Sequence, residues 1–250
     1  MPLEIVTLPV AADNYTYCCI SGNEALVVDA TAAQPVISLL EQRGLSLRMI
    51  LSTHHHGDHT GGNNRLKKMT GCTVLGNDRR VSDIDRIVTD RETVTDGPFS
   101  FECIAVPGHT RGCIAWYFID PGLLFTGDTL FYAGCGRLFE GTAADLSHSL
   151  EKICRLPPET TIYCGHEYTL ENLKFARSIE PNNPAIVERT VTVGLQLQKY
   201  NSYGPSNNAL ERATNPFLRT DEPAIRRTLG LPDAANEVVF SELRRRKDLF

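Results

Sequence analysis

Through the first two-thirds of the chain, apolar residues arrive in short runs rich in Val, Ile, Tyr and Phe, each closed by Gly, Pro, Asn or Asp. That punctuation predicts strands over 4–8, 15–20, 25–29, 48–52, 73–75, 101–106, 113–118, 123–126 and 161–164. Between them, 33–42, 62–69 and 144–155 read as helices. Such mixing points to a layered α/β arrangement with helices covering sheet faces. After about Tyr168 the texture changes. Helices are expected over 171–178, 185–200, 222–229 and 237–247, split by Pro- and Asn-rich breaks at 181–184 and 202–208, with no comparable strand. A boundary near residue 167 is therefore expected, with an α/β domain over 1–167 and a smaller helical domain over 168–250.

Composition narrows the class. With 250 residues, 42% hydrophobic and 22% charged, the chain can bury a sizeable core as an ordinary globular protein. A net charge of −5 makes nucleic acid a poor partner. No run reaches the roughly 20 apolar residues that cross a bilayer, and the first ten residues lack the pattern of a secretory leader. A cytoplasmic protein, monomeric and without membrane partners, is the simplest expectation. The eight cysteines include no Cys-x-x-Cys pair, and several lie inside apolar runs. They are expected to be reduced structural thiols rather than ligands.

The chemistry starts at Thr53-His54-His55-His56-Gly57-Asp58-His59, just past an apolar run. Imidazoles and a carboxylate this close repel and desolvate one another unless cations hold them, and both are good ligands for zinc or iron. His54 and His56 are two apart and in extended backbone point the same way, so they can share one ion. His55 then points away and reads as a supporting residue. Adjacent Asp58 and His59 need a turn to face together, and suit a second ion. Three further strand ends lead through Gly to a ligand type, giving His109, Asp128 and His166. Glycine there permits a sharp turn and close approach. Taken alone, His109 or His166 would more simply be a turn histidine and Asp128 a turn residue. His148, within a helix, reads as surface. Jointly, seven candidates exceed what one tetrahedral ion needs and fit two ions about 3.5–4 Å apart, with Asp128 as the bridge.

The segment from Thr53 to His59 resembles the Thr-His-x-His-x-Asp-His signature of the metallo-β-lactamase superfamily, and His109, Asp128 and His166 match its later metal positions. The resemblance implies a four-layer αβ/βα sandwich followed here by a small C-terminal helical domain. It also implies a first ion on His54, His56 and His109, a second on Asp58, His59 and His166, and Asp128 between them. Zinc is the foremost expectation, with iron or manganese as alternatives.

Residues 135–141 (Cys-Gly-Arg-Leu-Phe-Glu-Gly), 165–169 (Gly-His-Glu-Tyr-Thr) and 243–250 (Leu-Arg-Arg-Arg-Lys-Asp-Leu-Phe) are similar to the glyoxalase II (hydroxyacylglutathione hydrolase) family over essentially the whole length. That similarity implies hydrolysis of a glutathione thioester, S-D-lactoylglutathione to D-lactate and glutathione, by a hydroxide on the two ions, as in methylglyoxal detoxification. Asp58 would orient that hydroxide and Asp128 would bridge. Arg137, Phe139, Tyr168, Arg244 and Lys247 would line the glutathione site. Phe139 stands where some relatives carry Tyr, so aromatic packing is expected there without a hydroxyl contact. Glutathione conjugates are net anionic, and four consecutive cations at 244–247 suit them. A solvated helix end is the plain alternative for that run. Other readings are a one-iron glutathione-persulfide dioxygenase, another hydrolase on the same scaffold, and a non-catalytic metal-binding module.

Overall fold

The computed structural model describes residues 3–200 and 202–250; Met1, Pro2 and Asn201 lie outside that description. The chain divides into two compact units. One takes the residues up to Ala105 with Gly112–Gly127 and Cys164–His166; the other takes Val106–Arg111, Asp128–Tyr163 and Glu167–Phe250.

In the first unit, β1 (Glu4–Val10), β2 (Asn14–Ser21), β3 (Glu24–Val28), β4 (Ser46–Leu51), β5 (Thr73–Gly76) and β6 (Arg86–Ile87) form one sheet in chain order. β1 to β3 run antiparallel, and β3 to β6 run parallel. Parallel neighbours need a crossover, supplied by α1 (Ala33–Arg43) between β3 and β4, and by α2 (Gly57–Thr60) with α3 (Asn63–Thr70) between β4 and β5. Gly44 ends α1 and Gly71 ends α3, both left-handed.

β2 is buried at every position, and the two-residue period explains why. Cys18 and Ile20 face one way, into a cluster with Val36, Ile37 and Leu40 of α1 and Leu66 of α3. Tyr17 faces the other way and meets the ring of Phe125 at 5.4 Å. Phe125 lies in a second, antiparallel set of strands, β7 (Thr93–Asp96), β8 (Phe99–Ala105), β9 (Ile114–Phe118) and β10 (Leu123–Gly127). Phe101, Trp116 and Phe118 fill its inner side, with Phe101 edge-on to Trp116 at 5.4 Å. Strands covered on both faces read as continuous apolar runs, which is what the sequence carries.

The second unit holds the short hairpin β11 (Leu130–Phe131) and β12 (Gly134–Cys135), and the pair β13 (Thr161–Cys164) with β14 (Ser206–Asn207). Its helices are α4 (Ala143–Cys154), α5 (Thr169–Ile179), α6 (Pro184–Tyr200), α7 (Asn208–Thr214), α8 (Pro223–Leu229) and α9 (Asn236–Leu249). A capping box of Thr142 and Asp145 starts α4. The span 202–208, expected as a plain break, instead carries β14 and the start of α7. Ser206 pairs with Ile162, a distant partner that no local pattern announces, and Asn207 caps α7 by accepting from Leu210 N. Among the described residues no helix is long and apolar enough to cross a membrane.

All eight cysteines are free thiols, buried except for half-buried Cys154. Burial pushes the Cys103 thiol up to about 12, so the inert role expected of these residues fits their setting. The polar centre of the second unit is Arg189, whose guanidinium donates to Glu211 at 2.5 Å, to Thr214 and to Ser206. Glu211 also accepts from Ala133 N at 2.8 Å. Both members are essentially without solvent exposure. Replacing Glu211 with Ala strands a buried cation, which costs about 3–5 kcal/mol; the unfolding free energy from urea titration should fall by that amount with a correspondingly lower midpoint, and an unchanged midpoint would refute the account.

Candidate metal centre

In the first unit Asp29 and the residues from His54 to His59 sit past the carboxyl ends of the parallel strands β3 and β4, where open α/β sheets bind their ligands. β3 ends at Val28, and the next residue, Asp29, takes φ 51°. Its Oδ1 accepts from Thr53 N at 2.8 Å and its Oδ2 from Thr53 Oγ1 at 2.7 Å. The segment leaving β4 is thereby fixed before its first histidine. His54 Nε2 then lies 3.0 Å from His56 Nδ1, the shared orientation expected for residues two apart. His55 leaves this group and brings Nδ1 to 3.6 Å from Asp78 Oδ2. The turn that Asp58 and His59 require is α2, closed by His59 N donating to His56 O at 3.0 Å.

The tautomers follow from hydrogen bonding. An ionised carboxylate only accepts, so a ring nitrogen facing it carries the proton. His59 Nδ1 stands 2.9 Å from Asp29 Oδ2, and His166 Nδ1 stands 2.9 Å from Asp13 Oδ1. In their neutral form both rings therefore present unprotonated Nε2 atoms, and these are 3.2 Å apart. Asp58 Oδ2 joins them at 3.6 Å from His59 Nε2 and 3.3 Å from His166 Nε2. Lone pairs and a carboxylate oxygen converging this closely call for a cation, and the ligand atoms of Asp58, His59 and His166 all lie within 4.8 Å of one another. Metal-binding histidines commonly donate their far nitrogen to a carboxylate or carbonyl, and that is the arrangement found.

Gly127, the last residue of β10, has φ 49°, and a Cβ there would stand 2.2 Å from Thr53 Oγ1. Only glycine lets the chain pass this close on its way to Asp128.

In the second unit His109 Nε2 lies 3.5 Å from Asp128 Oδ2. His109 Nδ1 is 2.9 Å from the carbonyl of Arg137, which only accepts, so here too Nδ1 is the donor and Nε2 the end turned to Asp128. The loop after β12 wraps this histidine: Phe139 N and Glu140 N donate to His109 O, and the Phe139 ring meets the imidazole edge-on at 5.1 Å. Gly136 makes the wrap possible, since a Cβ there would fall 1.9 Å from Asp128 O. His148 is exposed and faces Glu237 at 3.5 Å, a surface residue.

Residues 12–166 match the model of the metallo-beta-lactamase superfamily, and 167–250 match that of the hydroxyacylglutathione hydrolase C-terminus. A hydroxyacylglutathione hydrolase of Methylococcus capsulatus is 48% identical, with 99% of each chain aligned. One of Brucella ovis is 45% identical over 99% of this chain and 98% of its own. The chain belongs to the hydroxyacylglutathione hydrolase family. Its fold is that of the metallo-β-lactamase superfamily, an α/β sandwich, followed by the family's helical C-terminal region. Solved structures agree on the fold: ETHE1 from Myxococcus xanthus superposes with a TM-score of 0.67 at 23% identity, covering 100% of this chain and 99% of its own. A metallo-beta-lactamase from Staphylococcus aureus gives 0.65 at 18%, covering 98% and 71%. The chain is accordingly a metal-dependent hydrolase.

The residues expected at the glutathione site are all in the second unit. Phe139 is 64% exposed, Arg137 is exposed, and Tyr168 stands edge-on to Phe131 at 5.3 Å. Arg244 is placed differently from its neighbours in sequence. It is 4% exposed, and its guanidinium donates to Cys135 O at 2.9 Å, to Gly136 O at 3.4 Å and to Asp248 at 2.9 Å. It braces the loop that wraps His109. Arg245 and Arg246 both pair with Glu242, at 2.7 and 2.9 Å. Lys247 lies over the rings of Phe175 and Phe250, and burial holds its ammonium below the ordinary lysine range. The run of four cations is thus no uniform basic patch.

Sequence reasoning passed over Asp29, Asp13 and Asn14, which carry no metal-type spacing. Their only signal is an acidic or amide residue next to the end of a predicted strand. Asp29→Asn keeps the shape but removes the charge behind His59; the expected loss of zinc affinity is about 10–100-fold, read by competition against a chelating dye. An affinity equal to the parent's would exclude the supporting role.

Proposed function

We propose that this chain hydrolyses S-(2-hydroxyacyl)glutathione thioesters, S-D-lactoylglutathione among them, to the 2-hydroxy acid and glutathione, and so serves methylglyoxal detoxification. The observation that carries this reading is the match along 99% of both chains, at 48% identity, to a hydroxyacylglutathione hydrolase. The matching helical C-terminus supports it further, because the metallo-β-lactamase portion alone leaves the substrate open. We assign His54, His56 and His109 to a first divalent ion and Asp58, His59 and His166 to a second, with Asp128 bridging. Imidazole and carboxylate donors without thiolate suit zinc, and iron or manganese would accept the same set. The protein acts as a monomer in the cytoplasm, a compartment that fits eight free thiols.

Bound there, two ions would supply Lewis acidity and bring the pKa of a water near 7. The side chains do the rest. Asp58, half-exposed, orients the water toward the thioester carbonyl and takes up its proton. Addition of the water oxygen to that carbon is followed by cleavage of the C–S bond. Glutathione leaves as a thiolate, stable enough with a thiol pKa of about 8.5 that no dedicated acid is required. Phe139 and Tyr168 pack the glutathione chain, while Arg137 and Lys247 attract its carboxylates, Arg244 holding the intervening loop.

Loss of S-D-lactoylglutathione should be abolished by a chelator and restored by zinc, with no oxygen uptake from glutathione persulfide. Oxygen uptake without thioester loss would select the dioxygenase reading; neither activity would select a non-catalytic module. Asp128→Ala should cut turnover about 10²–10³-fold, the scale of losing a group that stabilises developing charge, and lower metal content with it. A variant with full metal content would remove the bridging role.

A further inference from the structure

The turn into β2 places two consecutive polar side chains on the same ligand pair. Asp13 Oδ1 receives His166 Nδ1 at 2.9 Å. Asn14, 5% exposed, puts its Nδ2 3.1 Å from Asp58 Oδ2, 3.3 Å from Asp58 O and 3.3 Å from His166 Nε2. We propose that Asp13 and Asn14 are positioning residues that set the affinity of the Asp58–His59–His166 position separately from that of the other ion. This rests on the two-ion reading given above.

Donor counting supports it. An amide nitrogen has two N–H groups, and three acceptors surround this one. A cation on His166 takes up the Nε2 lone pair and removes one acceptor, leaving two donors matched to the two Asp58 oxygens. Loading the site therefore relieves a mismatch at Asn14 and fixes Asp58 in one orientation. Asp13 works from the far side of His166, where a carboxylate behind a ring raises the basicity of the ligand nitrogen. The backbone keeps the two segments together independently of these side chains. Tyr15 N donates to Gly165 O at 2.8 Å, and Asn14 bridges His166 in antiparallel register. Substitutions at 13 and 14 should for that reason leave the fold intact.

The test uses metal-free full-length protein titrated with cobalt(II), followed by its visible spectrum and by calorimetry. The parent should bind two equivalents. Asn14→Ala and Asp13→Ala should weaken one equivalent about 10–100-fold and leave the other within a factor of about two. Asp13→Asn, which keeps an acceptor but loses the charge, should fall between. Thermal unfolding of the metal-free variants should match the parent, separating positioning from simple loss of structure. If both equivalents weaken together, or neither does, the proposal is wrong although the two-ion reading stands. If the parent itself takes up fewer than two ions, both fall.

Discussion

The candidate metal centre depends on which nitrogen of its imidazoles carries the proton. Asp29 settles this for His59, Asp13 for His166 and the Arg137 carbonyl for His109. Each acceptor holds a ring by its Nδ1 and turns Nε2 to a neighbouring ligand-type residue, His59 and His166 to each other and His109 to Asp128. Without such support the histidines could rotate or change tautomer, and a cluster of ligand types would be only a cluster. Asp29 has a second task, since the same carboxylate clamps Thr53 before the first histidine. One side chain at the end of one strand thus couples the backbone path of the site to its protonation state.

The wider fold serves that carboxylate. Asp29 has a left-handed backbone at the end of a parallel strand, and β4 beside it delivers Thr53 within reach. Helices on one face of the sheet and aromatic residues on the other bury the strands that fix both ends. Rigidity of this kind is what allows loops to hold chemistry in place.

Much of this was legible from sequence because the signals were local. Most strand and helix positions in the first unit followed apolar runs and Gly or Pro punctuation, although β6 and β7, short and half polar, did not; α2 is the turn that adjacent Asp58 and His59 demanded. The seven ligand-type residues stood out by spacing and by their place after strand ends. What stayed hidden was non-local. β14 exists only because Ser206 finds Ile162, and Asp29 acts only because Thr53 and His59 fold against it. The run at 244–247 reads as four consecutive cations suited to an anionic ligand, with Arg244 and Lys247 singled out, and its side chains prove to be differently engaged. Helical geometry turned Arg244 inward to carbonyls and tied Arg245 and Arg246 to Glu242.

His59 and His166 meet at 3.2 Å although 107 positions separate them. An ion held between them would close a loop of that length, a grip that the local cluster at 54–59 cannot provide in an unfolded chain. On the two-ion proposal, metal uptake at this position would report completed tertiary structure, and the ion would act as a reversible cross-link. Its contribution would grow with the logarithm of free metal over the dissociation constant, tying the stability of the folded enzyme to the metal supply of its surroundings.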